Sequence, residues 1–420
     1  MSLINNKVIA TLIIVTGLIA CSSKKTSTHQ IQSVNKDKQE LIMQSTPNQR
    51  NNMLSIDLMK KLNMHDDNII ISPFSISTAM AMTYGGAREQ TMAEMADVLY
   101  YPITQEEFHP EFSSFTEYIQ SLSSDKTGFE LANALYAQEN YQFLQEYFDL
   151  IIKNYGSVLN YVDFYKGDRE AIRQEINEWV ESKTNSRIQD LIKPDILNED
   201  TRLVIVNAIY FLAEWEKEFD KKLTYEDVFH LQDGRQSTGK FMKTEDEFKY
   251  YKTLGFEAIE IPYNENKFSM LVVLPEENTN IKDFIDSFEY DTYMSVSEGL
   301  EKQKVELHLP KFTIKKHIEV QDILIEMGMP LAFSNQADFS GMTGEYDLKI
   351  DKVIHQAFIE VDEKGTEAAA ATAVVIIRKT AIIEPDEKTI FKANRPFLFF
   401  IKDAAGDTII FMGSVTNPEK

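Results

Sequence analysis

From Glu363 to Ala373 the chain reads Glu-Lys-Gly-Thr-Glu-Ala-Ala-Ala-Ala-Thr-Ala, and no charge follows Glu367 within this run. An extended pattern precedes it, Gln356 to Asp362, in which Ile359 and Val361 alternate with acidic residues. Val374-Val375-Ile376-Ile377 and the basic pair Arg378-Lys379 follow. Read as a strand, with side chains alternating between faces, the run puts Thr366, Ala368, Ala370, Thr372, Val374 and Ile376 on one face. Nothing there resists burial, and Glu367 falls on the opposite side. Alanine is also a good helix former, so composition alone leaves a surface helix open. The β-branched downstream half and the punctuating Gly365 favour the extended reading. No proline or inward charge obstructs entry into a sheet, where either would be costly. The segment reads as one built to change conformation.

Glu363-Lys364-Gly365-Thr366-Glu367-Ala368-Ala369-Ala370-Ala371-Thr372 resembles the hinge of the reactive-centre loop of serpins, the serine-protease-inhibitor family. Further blocks resemble the same family in the same order: Asn68-Ile69-Ile70-Ile71-Ser72-Pro73-Phe74-Ser75-Ile76, then Ile176-Asn177-Glu178-Trp179-Val180 with Ile188-Gln189-Asp190-Leu191-Ile192. Val206-Asn207-Ala208-Ile209-Tyr210-Phe211, Leu309-Pro310-Lys311-Phe312, Ala337-Asp338-Phe339-Ser340-Gly341-Met342 and Phe391-Lys392-Ala393-Asn394-Arg395-Pro396-Phe397 complete the series. The resemblance implies an α+β serpin fold, three β-sheets surrounded by about eight or nine helices, with an exposed loop over about 363–390.

Residues 46–420 read as one domain, because no Pro/Gly/Ser-rich linker or shift of composition interrupts them. A net charge of −23 argues against nucleic acid as a partner. Ahead of the domain, Lys7 precedes an apolar stretch from Val8 to Ala20, short for a bilayer span and suited to a signal peptide over 1–20. Leu18-Ile19-Ala20-Cys21 resembles the bacterial lipobox, which implies acylation of Cys21 and anchoring to the cell envelope, at the outer membrane or cell surface. Cys21 is the sole cysteine, so no internal disulfide is available. The polar stretch to residue 45 reads as a flexible tether.

Helical spacing is expected over Met53–Leu62, Ile76–Met82 and around Trp179. Ala258–Tyr263 with Phe268–Leu274, and Phe397–Ile401 with Thr408–Met412, read as hairpins. Gly234-Arg235-Gln236-Ser237-Thr238-Gly239-Lys240 matches the opening of a phosphate-binding loop, but Phe241 stands where the magnesium-binding hydroxyl belongs. His308 and His317, near Glu306 and Glu319, lack zinc-site spacing, and no metal or cofactor is expected. A Ser-His hydrolase is conceivable through Ser72 or Ser75 with His355. The resemblance instead assigns Ser72, Ser75, Asn207 and His355 to a polar cluster that holds the central sheet until it parts, so no enzymatic activity is expected.

The resemblance also implies a mechanism. A target protease would cleave the loop and form an acyl-enzyme, whose freed strand enters the main sheet before deacylation. Family spacing from the hinge places Lys379 before the scissile bond and Thr380 after it, with Arg378 as the alternative bait. Both favour trypsin-like proteases. Val374 to Ile377 leave elastase- or subtilisin-like enzymes open, and the segment from Thr380 to Ile390 is long for a single register. Lys311 is the expected partner of Glu363. The expected state is a monomer, and the alternative reading is a non-inhibitory relative cleaved as a substrate.

Overall fold

Short-range chemistry starts the helices where the chain needs them. Thr46 accepts from the Gln49 amide while the Gln49 side chain reaches back to Thr46, a capping box with Pro47 in the first turn. Ser72 caps the next long helix with a single bond, accepting from the Ser75 amide at 3.1 Å ahead of Pro73. In this computed structural model residues 36–62, 67–124, 127–366 and 389–420 are described.

In chain order the elements are α1 (Lys36–Gln44), α2 (Pro47–Lys61), β1 (Ile69–Ile71), α3 (Pro73–Tyr84), α4 (Glu89–Leu99), α5 (Gln105–Ser121), β2 (Thr127–Gln138), α6 (Gln145–Tyr155), β3 (Val158–Val162), α7 (Arg169–Lys183) and β4 (Leu203–Glu214). There follow β5 (Tyr225–His230), β6 (Gln236–Thr253), β7 (Phe256–Pro262), β8 (Phe268–Pro275), α8 (Ile281–Ser287), α9 (Tyr290–Gly299), β9 (Glu301–Pro310), β10 (Phe312–Glu319) and α10 (Gln321–Met327). The chain ends with α11 (Ser340–Thr343), β11 (Ile354–Val361), β12 (Gly365–Thr366), β13 (Thr389–Lys392), β14 (Phe397–Asp403) and β15 (Ile409–Val415).

These strands form two hydrogen-bonded networks. The smaller has the order β10-β11-β12-β4-β2-β3. The larger runs β1-β15-β14-β8-β7-β6-β9-β13, with β5 added on β6. Three sheets were expected, and two of them are joined here through β6. Its first residues pair with β5, its middle with β9 and its end with β7. Eleven α-helices lie among the described residues. Both expected hairpins form, β7 with β8 and β14 with β15, and β8, β14 and β15 are buried throughout.

The six-stranded network has a core on each face, as period-two alternation requires. Leu135, Ile209 and Phe211 face the main core with α3, whose residues are buried on nearly every side. Ala134, Val206 and Ala208 pack instead beneath α7, against Ile172, Ile176 and Val180. Asn177 locks α7 to the following loop, donating to the Ile192 carbonyl at 2.9 Å and accepting its amide at 2.8 Å.

One expectation is corrected, and the rejected phosphate-loop match is placed. The tether does not extend to residue 45, because α1 begins at Lys36 and buries Gln39 and Ile42. Lys38 stands over the Tyr100 ring at 4.2 Å. The phosphate-loop match is a turn: Gly234 adopts φ +82°, and Gln236 to Lys240 run directly into β6 with no helix to cradle an anion.

Candidate functional site

Strand β11 delivers the chain to a sharp turn at residues 362–365, where the Asp362 amide donates to the Gly365 carbonyl at 3.0 Å. Asp362 also accepts the Lys364 amide at 2.8 Å. Trp215 clamps this turn from β4's end, its amide on the Lys364 carbonyl at 2.8 Å and its indole on the Asp362 carbonyl at 2.9 Å. The next two residues are already a strand. Thr366 pairs with Val361 of β11 on one side and Ala213 of β4 on the other, and Gly365 pairs with Glu214. The Thr366 side chain is buried, its hydroxyl 2.6 Å from that of Tyr263, which stacks on Trp215 at 4.5 Å. Gly365 has a positional reason: a Cβ there would lie 2.1 Å from the Ala213 carbonyl oxygen.

Glu363 is buried and receives Lys311 Nζ at 2.6 Å and the Thr224 hydroxyl at 2.8 Å. Burial works to raise its carboxyl pKa, but the Lys311 and Thr224 hydrogen bonds prevail and hold it below the usual range. The hinge pair expected between Lys311 and Glu363 is therefore formed. The loop is shorter than the expected 363–390 at both ends. Glu363 to Thr366 are buried, Gly365 and Thr366 already seated in the sheet, and Thr389 and Ile390 belong to β13, parallel to β9.

Below β12 the sheet is parted. Among the described residues β4 and β11 form no ladder with each other. Between the start of β4 and the start of β11 lies a cavity of about 700 Å³, floored by Ile76, Ala79 and Met80 of α3. Ser75, Asn207 and His355 line it and belong to one polar cluster. The Ser72 amide donates to His355 Nε2 at 3.0 Å, and the Ser72 hydroxyl donates to the Ile410 carbonyl at 2.7 Å. The Ser75 hydroxyl donates to Asn207 Oδ1, and Asn207 Nδ2 donates to Asn133 Oδ1 at 2.8 Å. Burial first, and then the His317 charge, pushes His355 down to about 4, so the ring is neutral and Nε2 is free to accept. Neither serine hydroxyl is directed at His355, so the nucleophile–base contact of a Ser-His hydrolase is not formed.

Asn133 escaped the sequence reading. It stands in Leu131-Ala132-Asn133-Ala134-Leu135, where a polar residue in an apolar strand was the available signal. His308 is no metal ligand in this arrangement: its ring nitrogens meet the Tyr225 hydroxyl at 2.6 Å and Glu306 at 2.9 Å. Cys21, Glu367, Ala368, Ala369, Ala370, Ala371, Thr372, Arg378, Lys379 and Thr380 lie outside the described residues.

The family model described as Serpin (serine protease inhibitor) matches residues 49–418. The chain belongs to the serpin family. An uncharacterized serpin-like protein of Methanosarcina acetivorans is 38% identical over 88% of this serpin and 85% of its own length. The leukocyte elastase inhibitor of Sus scrofa is 35% identical over 88% and 98%. Among solved structures, the thermophilic serpin Tengpin in its native state superposes with a TM-score of 0.78 at 29% identity, covering 88% of this chain and 93% of that one. Cleaved Serpin 42Da gives 0.79 at 34%, covering 89% and 98%. This serpin thus has the family's α+β fold, with the start of its hinge seated as a short strand.

Proposed function

We propose that this chain is a suicide inhibitor of trypsin-like serine endopeptidases and is not itself an enzyme. One observation carries the reading: β12 already sits between β11 and β4, above a slot that no described residue fills, in the register a longer strand would continue. Extended in that register, a cleaved loop sets Thr372 opposite both Asn207 and His355, with Val374 and Ile376 opposite Ile205 and Leu203. The buried Thr366 identifies the inward face as the one bearing Ala368, Ala370, Thr372, Val374 and Ile376.

The protease serine attacks the scissile carbonyl and forms an ester with the Lys379 side of the cut, releasing the Thr380 amine. The freed strand gains a ladder of backbone hydrogen bonds. Burial of Val374 and Ile376 adds roughly 1.5–3 kcal/mol each. The uncleaved chain is then stable through its barrier rather than its depth. A protease dragged with the strand loses its geometry, and a displacement of about 1 Å costs roughly a hundredfold in deacylation. Lys379, or Arg378 one step earlier, suits a specificity pocket that carries a carboxylate.

The similarity to the leukocyte elastase inhibitor of Sus scrofa favours a second target class, elastase-like enzymes cutting after the apolar residues Val374 to Ile377. The alternative of a chain cleaved without trapping is separated by the same experiment. We place the protein, by its leader sequence, as a lipoprotein exported and anchored through Cys21 to the bacterial envelope, and as a monomer without cofactor. The test is denaturing mass analysis of the chain lacking Met1 to Cys21 after brief exposure to trypsin. A covalent adduct with a released peptide beginning at Thr380 is expected. Cleavage there with free, active trypsin would overturn the inhibitory reading, and an adduct whose peptide begins elsewhere would move the bait.

A further inference from the structure

The polar cluster beneath the slot does not stop at Asn133. The Asn133 amide donates to the Tyr155 carbonyl at 3.0 Å, at the last residue of α6, and the Tyr155 hydroxyl lies 2.6 Å from His109 Nδ1 on α5. Both side chains are buried, among the rings of Tyr84, Phe108 and Phe112. The other ring nitrogen, His109 Nε2, is buried without a hydrogen-bond partner among the described residues. Tyr155 is therefore the imidazole's single hydrogen-bonding contact there. A buried polar group that loses its partner in a dry setting is costly.

The geometry of strand entry gives this pair a role. A strand filling the whole slot needs β4 and β11 about 9–10 Å apart, twice the spacing between paired strands. Parts of the two still lie within 8 Å of one another. The slot must widen, and β2 and β3 are paired to β4's side of it. Helix α6 belongs to that same side, because its last residue carries the Asn133 bond and its chain runs on through Gly156 into β3. Helices α3 and α5 both pack on α2, α3 also on β15, and the Tyr118 hydroxyl of α5 donates to Asp403 at the end of β14, so both are tied to the larger network as well as touching β4 and β2. Two hydrogen bonds join these helices to the moving side in series along one path: Ser75 to Asn207, and His109 to Tyr155.

We propose that His109 and Tyr155 form a second latch on the moving half of the sheet, positioning residues that set the rate at which it parts to take in the loop. This rests on the inhibitory reading above. The first latch lies at the slot, and the second lies on the far side of β2, joined to it through Asn133. Releasing the second should let β2, β3 and β4 slide without altering the hinge, the bait or the slot lining.

The experiment compares the full wild-type chain with Tyr155→Phe, which keeps the ring and deletes the hydroxyl, and with His109→Asn, which keeps a hydrogen-bonding side chain. The probe is a synthetic peptide with the sequence of residues 366–377, its uptake followed on native gels. Tyr155→Phe is expected to take up peptide about fivefold faster, the factor a typical buried hydrogen bond corresponds to. His109→Asn should lie between it and wild type. After loop cleavage the Tyr155→Phe and wild-type proteins should unfold at the same temperature, because the latch is open in both. Unchanged uptake in Tyr155→Phe, or an equal loss of stability before and after cleavage, would reduce the pair to ordinary packing and overturn the proposal. A wild-type chain that takes up no peptide and gains no stability on cleavage would overturn the inhibitory reading, and the latch with it. Wild-type uptake matched by both variants would remove the latch alone.

Discussion

Thr366→Arg is the substitution for which the structure makes the sharpest demand. Thr366 is 1% exposed, and its hydroxyl meets that of Tyr263, itself buried. The uncleaved chain escapes the substitution by letting positions 365 and 366 leave the sheet, with the loss of two residues of pairing, so the fold survives. Strand entry has no such escape, since residue 366 is the first to be seated and the rest follow its register. Burying a guanidinium without a partner costs several kcal/mol. At about 4 kcal/mol insertion slows roughly a thousandfold. Deacylation, which depends on the protease, is unchanged, so the acyl-enzyme partitions to hydrolysis. Titration of residual trypsin activity should show the moles of variant consumed per mole of enzyme rising by orders of magnitude, with cleaved chain accumulating at the wild-type bond. Thr366→Val, which leaves only the Tyr263 hydroxyl unpaired, should raise that number far less. Retained trapping by Thr366→Arg near wild-type stoichiometry would refute insertion through the β11–β12–β4 slot.

Gly365→Val places a Cβ against the Ala213 carbonyl and should evict β12 from the sheet; limited proteolysis should then cut near 363–366, where wild type resists. Lys311→Ala removes the closer partner of Glu363, and because Lys311 is one-third exposed the loss should be only about 1 kcal/mol, seen as a small drop in the unfolding midpoint. That drop should shrink in acid, because a carboxyl with a depressed folded pKa stabilises above its unfolded value and loses this as pH falls through the folded one. His109 and His355 are both pushed to about 4 from an ordinary 6.5, chiefly by burial. The unfolded chain therefore takes up protons first, and stability should be full above 6.5 and fall between there and 4. Each group contributes a slope of up to about 1.4 kcal/mol per pH unit. Denaturant unfolding at several pH values should show a shallower acid loss in His109→Asn.

Much of the hinge was legible because its constraints are local. Alternation puts Thr366 on the inward face whatever packs against it, and the buried hydroxyl at Tyr263 is on that face. The hairpins β7–β8 and β14–β15 followed from apolar runs around short turns, and the start of α3 from Ser72 and Pro73, since turns and caps are decided within a few residues. The family resemblance supplied the pairing of Lys311 with Glu363, which no spacing within this chain encodes. Other features had no local signature. Asn133 is one asparagine among many until β2 pairs with β4 and places it beside Asn207. Likewise, Tyr155 meets His109 only because α6 packs on α5. The polar stretch before residue 45 lacks helical periodicity, yet α1 forms because α4 and its end offer Asp97 and Tyr100 to Lys38 and the Tyr101 carbonyl to Gln39. The joining of two expected sheets through β6 needed the register of three neighbours at once. By itself the sequence determined the two hairpins, the capped start of α3 and which face of the hinge tolerates burial, because period and turn chemistry act over a few residues. Tertiary structure alone decided which buried polar groups meet and where the sheet stands open, because partners far apart in the chain are chosen by packing.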